Sequence, residues 1–328
     1  MKEKAIIIIL IISTILLVSL AGCNSKGVEG GKESSVKPAD INSDKVVEYS
    51  KEDIMKDFRN IVKSNNEPFV LVKFIDENIG KIETEDAVEM IKELEKIQLQ
   101  YVEKYTDEMF IEDYQRELWH LSETEENADL FFNMNEIDKI ENAGLKELME
   151  KLLDGKYKLI GMEGAFYPII DYEALKTYNK YLSNEIKSYL DIKSMDSNMP
   201  AVIDAGITVS FDELANRLLK IEEHIKKFPE CTDCDEVLRL YGAYLKLYLE
   251  GADNTPIYDY ESKEIKDEVL ASYENMAKLE DSISGNAIKK YLDTIKINDN
   301  VIDDNVLSKI TEVYNGAIAQ LEEVRENN

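Results

Sequence analysis

An all-α, multi-helix body with little or no sheet is what this chain predicts, and three observations carry the expectation. Helix breakers are sparse, with 6 prolines and 14 glycines in 328 residues. Apolar side chains recur every three or four residues over long stretches. One stretch also repeats, which marks a duplicated unit: EGAFYPIIDYE at 163–173 returns as EGADNTPIYDYE at 250–261.

From the N-terminus, Lys2 and Lys4 precede an almost unbroken apolar run from Ala5 to Ala21, closed by Leu20-Ala21-Gly22-Cys23. A basic start, an apolar run of this length and small residues at its end read as an export signal rather than a lasting membrane span. The stretch VSLAGC resembles the lipobox of bacterial lipoproteins, a resemblance confined to residues 1–23. It implies cleavage before Cys23, a diacylglyceryl group on the Cys23 sulfur and an extracytoplasmic protein anchored to the cell membrane. The alternative, an uncleaved anchor, leaves the chain on the same side.

Removing residues 1–22 takes away Lys2, Glu3 and Lys4, leaving 37 basic and 66 acidic residues and a net charge of −29. So acidic a chain argues against nucleic acid and against adsorption to anionic head groups. Its charge suits a cationic peptide or a basic protein face, or simply solubility in a polyanionic envelope. Residues 23–44 are rich in Gly, Ser, Lys and Asp, and read as a flexible tether reaching roughly 25 Å.

About nine to eleven helices are expected beyond the tether. Ala87, Ile91, Leu94, Gln98 and Val102 follow one face with a single polar lapse at Gln98. Ser210 with Glu213 forms a capping box, opening a helix with Phe211, Leu214, Leu218, Ile221 and Ile225 along one side. Val306, Ile310, Val313, Ala317, Leu321 and Val324 mark the last helix. The tract 298–305, NDNVIDDN, lacks the order of an EF-hand loop and reads as a cap for that helix.

Glu163 and Glu250 stand 87 residues apart, and at this offset Leu153, Gly155 and Tyr157 match Leu240, Gly242 and Tyr244. Glu126, Ala128 and apolar positions 131, 132 and 134 match 213, 215, 218, 219 and 221. This divides the body into an N-terminal helical region at 45–123, a first unit at 124–210 and a second at 211–328, with a duplication of about 85 residues. Residues 157–170 alone could pass for a β-hairpin turning at Glu163-Gly164. The helical spacing of the second copy argues instead that both copies end a helix.

The repeated joint has two readings. As architecture, Gly164 and Gly251 terminate helices, Pro168 and Pro256 stop their continuation, Ile169 and Ile257 anchor the loops, and Asp171 and Asp259 cap the next helices. As a site, Tyr167, Tyr172, Tyr258 and Tyr260 stand beside Glu163, Asp171, Glu250, Asp253 and Asp259. If the joints share a cleft, its aromatic faces and carboxylates suit a sugar, a choline-like cation or a basic peptide.

Cys231 and Cys234, in FPECTDCDEV, are expected to form a disulfide outside the cytoplasm. Zinc would need two further ligands, from Glu230, Asp233, Asp235 or the two histidines, His120 and His224, so no metal site is assigned. Trp119-His120 should place one side chain in the core and one on the surface. No G-x-S-x-G, H-E-x-x-H, P-loop or dinucleotide fingerprint occurs, and no catalytic residue or cofactor is assigned. The leading expectation is a lipid-anchored binding or interaction protein. A cell-envelope hydrolase using carboxylates such as Glu163 or Glu250 is the alternative. A transporter's solute-binding lipoprotein ranks third, for want of strand–helix alternation.

Overall fold

The computed structural model describes residues 50–64, 66–111, 113–122 and 130–327. The leader, Cys23, the tether, Glu126 and Ala128 lie outside these residues. As the breaker count predicts, the fold is mainly helical, with 13 α-helices and three two-stranded hairpins among the described residues. The helix number exceeds the expectation partly because two pieces, Tyr172–Leu175 and Asp304–Leu307, are single turns. No helix of the described residues is long and apolar enough to cross a membrane.

The first helices are α1 (Lys51–Lys63), α2 (Pro68–Asn78), α3 (Thr84–Met109), α4 (Tyr114–Ser122) and α5 (Ala143–Asp154). Ser50 caps α1 by accepting from the Asp53 amide at 3.1 Å, and Pro68 opens α2 where no amide is needed. The spacing read from sequence is borne out in α3, where Ala87, Ile91, Leu94 and Gln98 are buried. The polar lapse has a cause: Gln98 Nε2 donates to the Gly155 carbonyl at 2.8 Å, satisfying the end of α5.

Strand β1 (Tyr157–Met162) pairs with β2 (Ala165–Ile170), from Tyr157 opposite Ile170 to Met162 opposite Ala165. The first joint is therefore a hairpin and not the end of a helix. Glu163 and Gly164 both have positive φ, 48° and 78°, the combination a two-residue hairpin turn demands. Ile160 also bridges Phe131 on the outer edge of β1. Beyond β2 come α6 (Tyr172–Leu175), whose first turn Asp171 does cap, and α7 (Asn184–Asn198).

Hairpin β3–β4 (Val202–Ile203, Gly206–Ile207) leads to α8 (Phe211–Lys227), then α9 (Cys234–Glu250) and hairpin β5–β6 (Gly251–Ala252, Thr255–Pro256). Ser210 caps α8 as expected, and all five residues of its forecast face are buried. The Glu213 carboxylate does not reach back to the cap; it pairs with Arg217 at 3.0 Å instead. The chain closes with α10 (Asp267–Met276), α11 (Ile283–Ile297), α12 (Asp304–Leu307) and α13 (Ile310–Glu326). Asp303 caps the single turn α12 through the Val306 amide, whereas the last helix, α13, opens at Lys309 with no side-chain cap, so the acidic tract caps the turn before the last helix rather than that helix itself.

The sequence repeat does not carry over to local structure upstream of Glu163 and Glu250. Tyr157 to Met162 form a strand, whereas the matching Tyr244 to Leu249 lie inside α9. Phe131, Phe132 and Met134 are likewise outside α-helix, unlike their matches 218, 219 and 221 in α8. One contiguous set of buried side chains runs from Ile54 to Leu321. Helix α8 packs on α7, α9, α10 and α13, and the first hairpin is gripped by α3, α4 and α5.

The two joint glycines differ in a way that stability measurements can read. Both have φ of 78°, but a Cβ at Gly164 meets nothing within 4 Å. A Cβ at Gly251 would run into the Thr255 carbonyl and lie 3.0 Å from the Ile257 nitrogen, both backbone atoms. Gly164→Val should cost about 1 kcal/mol from its left-handed backbone, and Gly251→Val about 3 kcal/mol in urea unfolding. Equal losses, or the reverse order, would contradict this account of the joints.

Candidate functional site

The two joints are built from similar residues and used differently. In the first, Gln115 of α4 seals the free edge of β2: its Nε2 donates to the Phe166 carbonyl at 3.0 Å and its Oε1 accepts from the Phe166 amide at 2.8 Å. The side-chain amide thus stands in for a neighbouring strand. Trp119 Nε1 donates to the Gly164 carbonyl at 2.6 Å and its ring packs 4.9 Å from Phe166. Trp119 is half-buried and His120 exposed, as the helical spacing requires.

The expected site residues of this joint separate accordingly. Glu163 is exposed at the turn, while Tyr167 is half-buried with its ring 5.5 Å from Phe110. Burial, then the charge of Glu163, pushes the Tyr167 phenol up. Asp171 accepts from the Ala174 amide at 3.2 Å and lies 3.4 Å from Lys158 Nζ. Tyr172 points inward, donating to Glu95 Oε1 at 2.8 Å. Ile169 is only half-buried, and Pro168 and Ile170 take the core positions instead.

In the second joint the tip of β5–β6 docks on β3–β4. The Asn254 amide donates to the Ala205 carbonyl at 2.9 Å, and the Ile207 amide to Thr255 Oγ1 at 3.0 Å. Ile257 is fully buried, as expected. Asp259 does not open a helix. It organises a tight turn by accepting from the Glu261 and Ser262 amides, each at 2.9 Å, and these bonds hold its carboxyl below the usual range. Asp253 is exposed at the tip, its carbonyl 3.3 Å from the Tyr260 hydroxyl, and Glu250 ends α9 with Lys246 Nζ 3.9 Å away. Tyr258 and Tyr260 meet edge to face at 5.7 Å, with Tyr260 58% exposed. Among the described residues no hydrogen bond, ion pair or ring contact joins the two sets, so each joint has its own neighbours rather than a shared lining.

A third constellation was not anticipated from sequence. Lys92 Nζ of α3 lies 2.8 Å from Glu95 Oε2 and 2.6 Å from Asp233 Oδ2. Lys193 of α7 pairs with Glu236 of α9. Tyr189 donates to Glu95 at 2.6 Å and to Glu236 at 3.1 Å, and Lys92 sits 3.9 Å from the Tyr189 ring centroid. Burial pushes the Glu95 carboxyl up, but Lys92, Lys193 and the Lys92 and Tyr189 hydrogen bonds outweigh it, so it titrates below its ordinary value. Asp233, desolvated beside Glu95 and Glu236, is raised despite Lys92. Asp233 also lies inside the loop that Cys231 and Cys234 close: the two sulfurs are bonded, with Cα atoms 5.1 Å apart. The available signal was Glu95 itself, a charge wedged between Leu94 and Gln98 on the buried face of α3.

Two further buried charges hold helix ends. Glu222 accepts from the Ile283 and Ser284 amides at 2.9 and 2.8 Å, so a carboxylate of α8 caps the N-terminus of α11. Arg217, 1% exposed, pairs with Glu213 and Asp196 and donates to the Met199 carbonyl at 2.8 Å. Comparison with known proteins finds no matching family model, no matching curated protein and no matching solved structure.

The chemistry of the three places differs. The outer strand edge of the first joint and the ion network are closed by their own partners, while the second joint leaves the Tyr260 ring in solvent. Replacing Glu95 by Gln should leave Lys92 with Asp233 as its remaining carboxylate partner and cost about 3 kcal/mol at pH 7 in urea unfolding. Because the folded Glu95 carboxyl titrates below its ordinary 4.5, its stabilisation is present above that pH and is lost as pH falls through the folded value. The variant should therefore lose less stability than the wild type on acidification below about pH 4.5. A full acid response in Glu95→Gln would show that the network contributes nothing.

Proposed function

We propose that the protein is a lipid-anchored, extracytoplasmic interaction protein, with the second joint as its contact surface. The location rests on the leader: Lys2 and Lys4, the apolar run to Ala21 and the VSLAGC stretch ending at Cys23. A diacylated cysteine supplies two chains, which suffice for stable attachment where one does not. The Cys231–Cys234 bond is compatible with an oxidising compartment. The observation that carries the contact role is the asymmetry of the joints. Gln115 and Trp119 close the first, whereas Tyr260 at the second is 58% exposed on an ordered turn. Exposed aromatic side chains on a rigid support are the usual anchors of recognition.

Fractionation tests the anchor. The wild-type chain should partition with membranes, and Cys23→Ala should appear in the soluble fraction or remain unprocessed. Unchanged partition and processing of Cys23→Ala would overturn the lipid anchor. Intact mass under non-reducing conditions should lie two hydrogens below the fully reduced value, for the Cys231–Cys234 bond; two free thiols in freshly isolated protein would contradict export to an oxidising compartment.

A further inference from the structure

The turn that carries Tyr258 and Tyr260 is fixed from both sides. The Lys263 amide donates to the Asp259 carbonyl at 2.8 Å and the Asp259 amide to the Glu264 carbonyl at 2.9 Å, closing the turn on itself. The Lys266 amide reaches the Ile257 carbonyl at 3.0 Å, the Ile302 amide the Lys263 carbonyl at 2.7 Å, and the Ile265 amide the Asn300 carbonyl at 2.9 Å. These bonds hold Lys263 at a φ of 62°, which a side-chain-bearing residue adopts only when its surroundings impose it. The direction in which the Lys263 side chain leaves the backbone is thus set by the fold.

From there the ammonium lies over the two rings. Lys263 Nζ lies 5.1 Å from the Tyr258 centroid and 5.7 Å from that of Tyr260, both within cation–π reach. Among the described residues no carboxylate pairs with this ammonium. Yet residues 250–266 carry Glu250, Asp253, Asp259, Glu261 and Glu264 against only Lys263 and Lys266. A surface that already draws a cation onto its aromatic faces, inside a negative field, is suited to a cation from elsewhere.

We propose that the second joint recognises an arginine or lysine side chain of a basic protein segment, with Tyr258 and Tyr260 as its platform and Lys263 as an internal cation that the partner displaces. This rests on the reading of the chain as an extracytoplasmic interaction protein and names the partner's chemistry. The platform has a half-buried ring, Tyr258, and an exposed one, Tyr260, and is flanked by the exposed Asp259, Glu261, Ser262 and Glu264. A single side chain gains little on so open a site, so the remaining contact must come from the scaffold that presents it. Charge complementarity with a chain of net charge −29 after removal of the leader favours a basic partner.

The test titrates the full chain, purified in a neutral detergent, with a fluorescein-labelled peptide of alternating arginine and glycine at physiological ionic strength. Tyr260→Ala, which leaves the charge unchanged, should weaken binding about two- to fivefold with an unaltered melting temperature. Lys263→Met should tighten binding by more than Lys278→Met, which removes the same charge at a distant site. Overturning results are an absence of peptide binding, unchanged affinity in Tyr260→Ala, or equal gains in the two lysine variants. Tighter binding of a neutral chito-oligosaccharide, lost in Tyr260→Ala, would overturn the cationic partner in favour of a sugar. Because the titration uses purified protein, its failure leaves the Cys23 fractionation result standing, and the converse also holds.

Discussion

The Glu95 carboxylate is the constraint on which the arrangement of the middle of the molecule depends. It receives Tyr172 from α6, Tyr189 from α7 and Lys92 from its own helix, and Lys92 in turn holds Asp233 beside the disulfide. Three segments far apart in sequence are thereby fixed to α3. Buried ions are poor sources of net stability but costly to leave unpaired, so such a network selects one packing over its neighbours. Glu222 and Arg217 act similarly farther along, tying α8 to the start of α11 and to the end of α7. The four-residue Cys231–Cys234 ring adds little chain-entropy stabilisation. Its structural use is to keep Asp233 where Lys92 needs it.

This frame explains why two similar loops have different fates. The first hairpin lies against α3 and α4, where an unpaired strand edge would be a liability, and Gln115 and Trp119 satisfy it. The second follows a full-length α9 and meets another small hairpin, whose Asp204 and Ala205 turn it interlocks with. Its continuation then rests on residues 298–302, the same acidic tract whose end caps α12. The tract is therefore a docking strip and a cap at once, and of the two tyrosines it supports Tyr258 packs against the core while Tyr260 faces outward.

Much of the fold was legible because helices with one buried stripe announce themselves. The faces of α3 and α8 follow directly from apolar spacing, as does the Ser210 cap. At the first hairpin the repeat points to a helix end and the local pattern to a turn, and the local pattern decides. Tyr157 to Ile170 are rich in aromatic and branched apolar residues and carry Glu163-Gly164 at the turn, which is hairpin chemistry, and identical letters near Gly242 sit within a helix whose neighbours differ. Of the candidate site, Tyr258 and Tyr260 were visible as exposed-prone aromatics. Lys263 was not, since its approach to the rings depends on a positive φ and on contacts with Asn300 and Ile302. The ion network was hidden for the same reason: its partners come from four separate stretches, and an acidic chain offers too many carboxylates to choose among.

The hydrogen bonds of the Tyr258–Tyr260 turn order the contact surface before any partner arrives. Residue-resolved hydrogen exchange of the free protein tests this most directly. The amides of Lys263, Ile265 and Lys266, each hydrogen-bonded to backbone carbonyls, should exchange about as slowly as those in the middle of α9. Exchange of these three at the rate of an open loop, with α9 protected, would contradict the account.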